Sequence, residues 1–368
     1  MIPASRMSIP PMESTLAAPR DASDDTSRTT PTEPQAIPIS RFAPSTTGQA
    51  HPGTLLSALL VWLDARVHCG KALLRLEDLD PERAKAAWAH QMLSCLQWLG
   101  LDWDATFWQS HANAQHEHYL DTLAARGHVY ACTCSRARLK GGRRAPDGGW
   151  AYDNHCRAQR LTPAQWRDAN VPLRLALPTG TLSIHDESGI DLSQDPAAQM
   201  GDPIIRRRDG AFAYQFAVVV DDICSGVNRV VRGRDIAPST ATQVALYRLL
   251  AQPQPSYRHH FLLLESRDLL REAASPLASA NEGPLMHAAP QKLAKLHGSI
   301  PFSALQTFYS APALLGQLAF AAGLQNDTAP TDLATLARDF QWTRVRTTDL
   351  CAHWDAATGL RFAEPTES

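Results

Sequence analysis

Apolar positions are sparse over the first residues of the chain and become dense and periodic from Ile39 onward. Residues 1–38 are dominated by Ser, Thr, Pro, Ala and Asp, too little apolar surface to offset the entropy of ordering, and predict a disordered leader. From Ile39 to about Trp108 short apolar runs alternate with helical patterns: "PISRFAPS", an apolar helix over Thr54 to Val67, "KALLRLEDLD", and a second helix over Ala84 to Leu99. That alternation argues for a parallel α/β sheet. Residues 109–200 are mixed and hold a cysteine-rich stretch. "AFAYQFAVVVDDI" reads as a buried strand, "VNRVVRGRDI" follows it, and "APSTATQVALYRLLA" has helical spacing. Residues 266–290 read as a low-order insertion, and residues 299–368 as mostly helical; no internal repeat is present.

Composition narrows the class. The chain has 368 residues, 44% hydrophobic and 20% charged, the proportions of a water-soluble globular protein. No apolar run approaches the roughly 20 residues a membrane helix needs, and no secretory signal pattern opens the chain. Seven cysteines without a regular framework point to a reducing compartment, hence the cytoplasm, with thiols that are free or metal-bound. A net charge of −2 means that any face for nucleic acid is local.

Candidate chemistry concentrates in four places. "RFAPSTTGQAHPG" (Arg41 to Gly53) runs from a strand through a glycine-bearing turn to a helix start, the layout of an anion-binding loop. It is neither a P-loop nor G-x-G-x-x-G. Arg41, Ser45 and His51 are its chemistry-bearing residues, and a turn that merely caps a helix is the plain alternative. In "LRLEDLDPER", Glu77, Asp78 and Asp80 close a neighbouring strand, where open α/β sheets bind ligands. Glu77 suits a bound ammonium, and the Arg41 fork suits a carboxylate. "KLAKLHG" offers Lys292 and Lys295 to phosphate oxygens, or only to solvent. Cys132, Cys134 and Cys156 in "YACTCSRARL…GGWAYDNHC" form a zinc signal that lacks a fourth ligand; His155 is one choice, and three unligated thiols are the alternative.

The order of these landmarks resembles the glutamyl branch of class I aminoacyl-tRNA synthetases, from Arg41 to Gly298. "RFAPSTTGQAHPG" is similar to that family's HIGH-type signature and "KLAK" to its KMSKS-type loop, with departures at Thr46, Pro52 and Ala294. The resemblance implies a Rossmann-like parallel-sheet catalytic domain in two halves, 39–108 and 201–298. An inserted zinc-binding, acceptor-type subdomain lies between them at 109–200. It implies ATP, with Mg²⁺, held by His51, Gly53, Lys292 and Lys295, with His51 and Lys295 catalytic. Glutamate would be held by Arg41, Ser45, Glu77, Tyr214 and Arg232, although a core aromatic (Tyr214) and an ion pair with Asp222 or Asp235 (Arg232) are the plain readings. Cys132, Cys134, Tyr152 and Cys156 match a zinc set of the form C-x-C…Y-x3-C, with a longer spacer. Residues 299–368 are too few for an anticodon-binding domain, so the chain resembles the truncated paralogues that attach glutamate to the queuosine base of tRNA(Asp). A discrete glutamyl-tRNA synthetase and a non-catalytic tRNA-binding paralogue are the rivals. Arg143, Arg144 and Arg206 to Arg208 are candidates for tRNA phosphates.

Overall fold

A computed structural model describes residues 36–265 and 300–365. The expected leader up to residue 35, the 266–290 insertion, and Lys292, Ala294 and Lys295 lie outside the described residues.

The core is a parallel sheet. Strand β1 (Ile39–Phe42) pairs in parallel with β2 (Lys71–Leu76), and β2 with β3 (Ala105–Trp108). On the far side of β1 lies β7 (Arg229–Gly233), joined to it where the Asn228 N–H donates to the Ile39 carbonyl (3.1 Å) and its side-chain oxygen accepts from the Ile39 N–H (2.8 Å). β7 in turn pairs in parallel with β8 (Ser256–His260). Strands of such a sheet are covered on both faces, which is why five of the six residues of β2 are buried, Arg75 among them.

Alternation along each strand assigns the faces. Phe42, Leu74, Leu76 and Val231 join the apolar cluster that holds helix α1 (Pro52–Val67) and the C-terminal helices. Leu73 and Val230 join the opposite cluster, with helices α3 (Asn113–Ala125), α7 (Tyr214–Cys224) and α8 (Thr240–Leu249). Arg41, Arg75 and Arg232 therefore project from β1, β2 and β7 toward α7 and α8. Helix α2 (Ala86–Trp98) packs with α1, contributing Ala89, Met92, Cys95 and Leu96.

Between the halves of this sheet an antiparallel ladder is inserted: β4 (Val129–Ala131), β5 (Leu173–Leu175) and β6 (Ile204–Arg206). Short helices α4 (Arg136–Leu139), α5 (Pro163–Arg167) and α6 (Pro196–Gln199) connect it.

Two expectations are corrected. "AFAYQFAVVVDDI" is helix α7, not a strand: Phe216 to Asp222 are all buried. An unbroken run of seven buried residues is shared by such a helix and by a strand covered on both faces, and the 11-residue length is what separates the two. The C-terminal region is not mostly helical throughout. After helices Phe302–Phe308, Ala311–Ala322 and Leu333–Asp339 it ends in strands β10 (Leu350–Asp355) and β11 (Gly359–Ala363). β10 pairs in parallel with β9 (Leu263–Glu265), which follows β8 directly, so the last strands form a small sheet of their own next to the core. Alternating burial at Leu350, Cys351, Ala352 and His353 is the period-2 signal that marks this hairpin.

Candidate active site

The opening loop continues the parallel pairing of β1 beyond its end. The Glu77 N–H donates to the Pro44 carbonyl (3.0 Å) and the Thr46 N–H to the Glu77 carbonyl (3.1 Å), which sets Ser45 beside Glu77. The Thr46 hydroxyl donates to the same carbonyl (3.0 Å), so the departure at Thr46 supplies two hydrogen bonds that a proline cannot make. Pro52 also has a structural reason: it stands at the first position of α1, where its missing N–H costs nothing. His51 is the N-cap, in extended conformation. A Cβ on Gly53 would stand 2.9 Å from the Leu263 carbonyl oxygen and 3.2 Å from the His51 ring, so glycine lets the helix start approach β9.

Behind the loop lies a buried charge network. Arg41 Nε donates to both oxygens of Asp222, at 3.0 and 3.2 Å. Arg75, fully buried, pairs with the same Asp222 and reaches Glu77 at 3.3 Å and Asp221 at 3.8 Å. Asp221 also accepts from Gln109 (2.6 Å) and contacts His116 Nε2 (2.7 Å). Burial works against the Asp222 carboxylate, but Arg41 and Arg75 outweigh it and hold its pKa below the ordinary value. Glu77 goes the other way: burial raises its pKa above the ordinary carboxylate value, and Arg75 and Arg41 offset this only in part. Arg41 has no partner for its terminal nitrogens among the described residues, so its fork is open for a ligand.

Arg232 is buried close to this network, near enough that the charges of Arg41 and Asp222 act on it, and these residues with Glu77 and Tyr214 form the candidate cleft. It contacts neither Asp222 nor Asp235, correcting the ion-pair alternative: its hydrogen bonds run to His259 Nε2, Gln243 Oε1 and Thr240 Oγ1. Tyr214 opens α7 and is 41% exposed, which corrects its reading as a core aromatic. Its phenol is pushed up by the low-dielectric cleft walls and by Glu77, while Arg232, Arg41 and Arg75 pull the other way. The charges of Arg41, Arg232 and Glu77 thus act together on one phenol at the carboxyl ends of β1, β2 and β7.

A second cluster lies in the insertion. The sulfurs of Cys132, Cys134 and Cys156 lie within 4.8 Å of one another, close enough to share one metal ion. Cys134 and Cys156 sulfurs are 3.5 Å apart, and the Tyr152 hydroxyl lies 3.5 Å from the Cys132 sulfur and 3.8 Å from that of Cys134. A tetrahedral ion with metal–sulfur bonds of about 2.3 Å needs sulfurs about 3.8 Å apart, so the four atoms fit. His155 is exposed and outside the group. Arg174 donates from Nε to Cys132 Sγ (3.2 Å) and lies 3.6 Å over the Tyr152 ring, a cation placed to balance negative ligands. Burial works against the Cys156 thiolate, yet the Thr133 backbone and the Tyr152 hydroxyl bring its pKa down to about 7.

Residues 39–270 match the family of class I tRNA synthetases (E and Q), catalytic domain. The chain belongs to the class I tRNA synthetases. Among curated relatives of this synthetase is the glutamyl-Q tRNA(Asp) synthetase of Serratia proteamaculans, 39% identical over 249 residues, covering 67% of this chain and 77% of that protein. The protein of the same name from Symbiobacterium thermophilum is 36% identical over 324 residues, covering 83% of this chain and 93% of the other. A solved glutamate tRNA ligase from Elizabethkingia meningosepticum, in complex with its amino acid, superposes with a TM-score of 0.66 at 21% identity. The match covers 87% of this chain and 67% of that one, and shows the shared fold.

Sequence reading of the synthetase missed Arg75, His259 and Gln243 and offered Asp222 only as a partner for Arg232; these residues hold Arg41 and Arg232 in place. A charged residue inside an otherwise buried apolar run, as in "ALLRL" and "VVVDDI", was the available signal. Four of the arginines proposed for tRNA are engaged within the protein. Arg143 donates to backbone carbonyls of Ala198 and Gln199, Arg144 stacks 3.9 Å over Trp150, Arg206 donates to Ala169, and Arg207 pairs with Asp209.

Proposed function

We propose that this chain activates L-glutamate with ATP and transfers it to the queuosine base in the anticodon of tRNA(Asp), acting in the cytoplasm. The observation that carries the amino-acid half is the charge complement of the cleft: Arg41, Arg232 and Glu77 offer two cations and one anion to a molecule with two carboxylates and one ammonium. The acceptor half rests on the names borne by the curated relatives. The described residues contain no helix long and apolar enough to cross a membrane.

In this reading Arg41 and Arg232 take the carboxylates, Glu77 the ammonium, and Ser45 and Tyr214 line the amino acid. The substrate carboxylate is the nucleophile and attacks the α-phosphorus of ATP, forming glutamyl-adenylate and releasing pyrophosphate. No enzyme nucleophile is required; the residues align and neutralise. His51 and Gly53 form the helix start that meets the phosphates, and Lys292 and Lys295 supply countercharge from the lysine loop. Mg²⁺, when bound with ATP, screens phosphate charge. A queuosine ring hydroxyl then attacks the adenylate carbonyl and AMP leaves. Cys132, Cys134, Tyr152 and Cys156 hold one structural Zn²⁺, which the three-sulfur, one-oxygen geometry favours.

ATP–pyrophosphate exchange without tRNA tests the first half. Exchange that depends on glutamate and not on glutamine or aspartate is expected; no exchange with glutamate would refute it.

A further inference from the structure

Among the described residues, the buried arginines are Arg41, Arg75, Arg174 and Arg232. Arg41 and Arg75 contact carboxylates, and Arg174 contacts a cysteine sulfur. Arg232 differs. It is 5% exposed, and its three nitrogens donate to a histidine ring at 2.9 Å, an amide oxygen at 2.8 Å and a hydroxyl at 2.8 Å. None of these acceptors carries a negative charge. A buried guanidinium without a contacting anion is costly to a protein unless a ligand completes it.

The histidine is held neutral by hydrogen-bond logic. Arginine only donates, so His259 Nε2 presents its lone pair to Arg232, and the ring proton sits on Nδ1. That proton faces Asp186 Oδ2 at 2.6 Å. Asp186 is buried and pinned by the N–H groups of Ser188 (2.9 Å) and His259 (3.3 Å). The other charged neighbours of His259 are Arg232 and Asp235, and burial lowers its pKa, which keeps it neutral. On the opposite side, Gln243 donates to Gln215 (3.1 Å), which donates to Ser239 (2.7 Å), so the amide oxygen is locked toward Arg232.

We propose that His259, Gln243 and Thr240 form a charge-neutral cradle that orients Arg232 while placing no anion in contact with it, and that this cradle sets the preference for a carboxylate over an amide on the bound amino acid. The inference rests on the glutamate reading of the cleft. Gln243 and His259 are positioning residues: they act through Arg232. An internal carboxylate in the cradle would serve Arg232 in place of the substrate's, whereas a neutral cradle leaves direct contact with an anion to the ligand, Asp222 acting on Arg232 only from a distance, and makes an amide ligand a poor one.

Gln243→Glu tests this with almost no change of shape. The Gln215 amide can rotate to donate to the new carboxylate, since its oxygen and nitrogen exchange places. The expected result is a glutamate KM raised about 30-fold or more in ATP–pyrophosphate exchange, because the ligand no longer supplies the one anion in contact with Arg232. The glutamate-to-glutamine ratio of kcat/KM should fall by about tenfold or more. The KM for ATP should stay within about twofold, and thermal stability should hold or rise because the buried cation is now paired. His259→Gln, which retains both an acceptor and a donor, should keep most of the selectivity, and His259→Leu should lose it. If Gln243→Glu leaves the glutamate KM and the selectivity ratio unchanged while wild type shows glutamate-dependent exchange, the inference is overturned alone. If wild type shows no such exchange, the glutamate reading fails, and the inference with it.

Discussion

Asp222 is where the cleft is most exposed to a single change. Its carboxylate accepts from Arg41 Nε at 3.0 and 3.2 Å and pairs with Arg75, and it is 4% exposed. Asp222→Asn keeps the volume and one acceptor oxygen but removes the charge that both arginines share. Breaking a buried pair by neutralising one partner costs about 3–5 kcal/mol. The lower end applies, because Glu77 and Asp221 remain 3.3 and 3.8 Å from Arg75. At roughly 2 °C per kcal/mol for a chain of this size, the melting temperature should fall by about 6 °C. The glutamate KM should rise about tenfold or more as Arg41 loses its anchor. The effect has a defined pH dependence. The folded pKa of Asp222 lies below its unfolded value, so its contribution is fully present above a pH of about 4 and is lost as pH falls through the folded pKa. Melting curves of wild type and variant should therefore converge in acid and separate at neutral pH. Equal melting temperatures and equal glutamate KM values at neutral pH would refute the network as described.

Further outcomes follow from the same geometry. Glu77→Gln should raise the glutamate KM by a factor of about 30 or more. In wild type, glutamate affinity should weaken as pH falls through the raised pKa of Glu77, because an ammonium needs the ionised carboxylate; a KM independent of pH across the acid range would contradict the pairing. Gly53→Ala drives a methyl to 2.9 Å from the Leu263 carbonyl, a backbone atom that cannot rotate away, and should cost about 1–3 kcal/mol of stability in thermal melts; an unchanged melting temperature would show that α1 shifts freely. Cys156→Ser should remove one zinc per chain by metal analysis and expose residues 130–160 to proteolysis, since metal binding and local folding are coupled; retained zinc would exclude Cys156 as a ligand.

The first half of the sheet was legible because its signals are local: β1, α1 and β2 carry their patterns within a few residues of the loop that joins them. The cleft's outer residues were legible for a different reason, namely that Arg41, Ser45 and Glu77 close strands where α/β sheets bind ligands. What holds them was not. Arg41 and Arg75 meet Asp222 across 181 and 147 residues, and no periodicity reports a pairing at that distance. Arg232 shows the same limit: acidic neighbours in sequence, Asp222 and Asp235, were the natural partners, yet strand alternation turns the side chain toward His259 and α8. Helix α7 was misread because its continuous apolar run from Phe216 to Val220 is shared by buried strands, and the C-terminal hairpin because its two strands are short and follow three helices. Thr46 and Pro52 stood out as departures from a motif, whereas their backbone positions explain them as a donor and a helix start.

The transfer step tests the central claim most directly. Radiolabelled glutamate and ATP are supplied with queuosine-containing tRNA(Asp), with the same tRNA lacking queuosine, and with tRNA(Glu), and the label is located by nuclease mapping. Label confined to the anticodon fragment of queuosine-containing tRNA(Asp) is the predicted result. Label at the 3′ terminus of tRNA(Glu) would contradict the account and identify an ordinary glutamyl-tRNA synthetase.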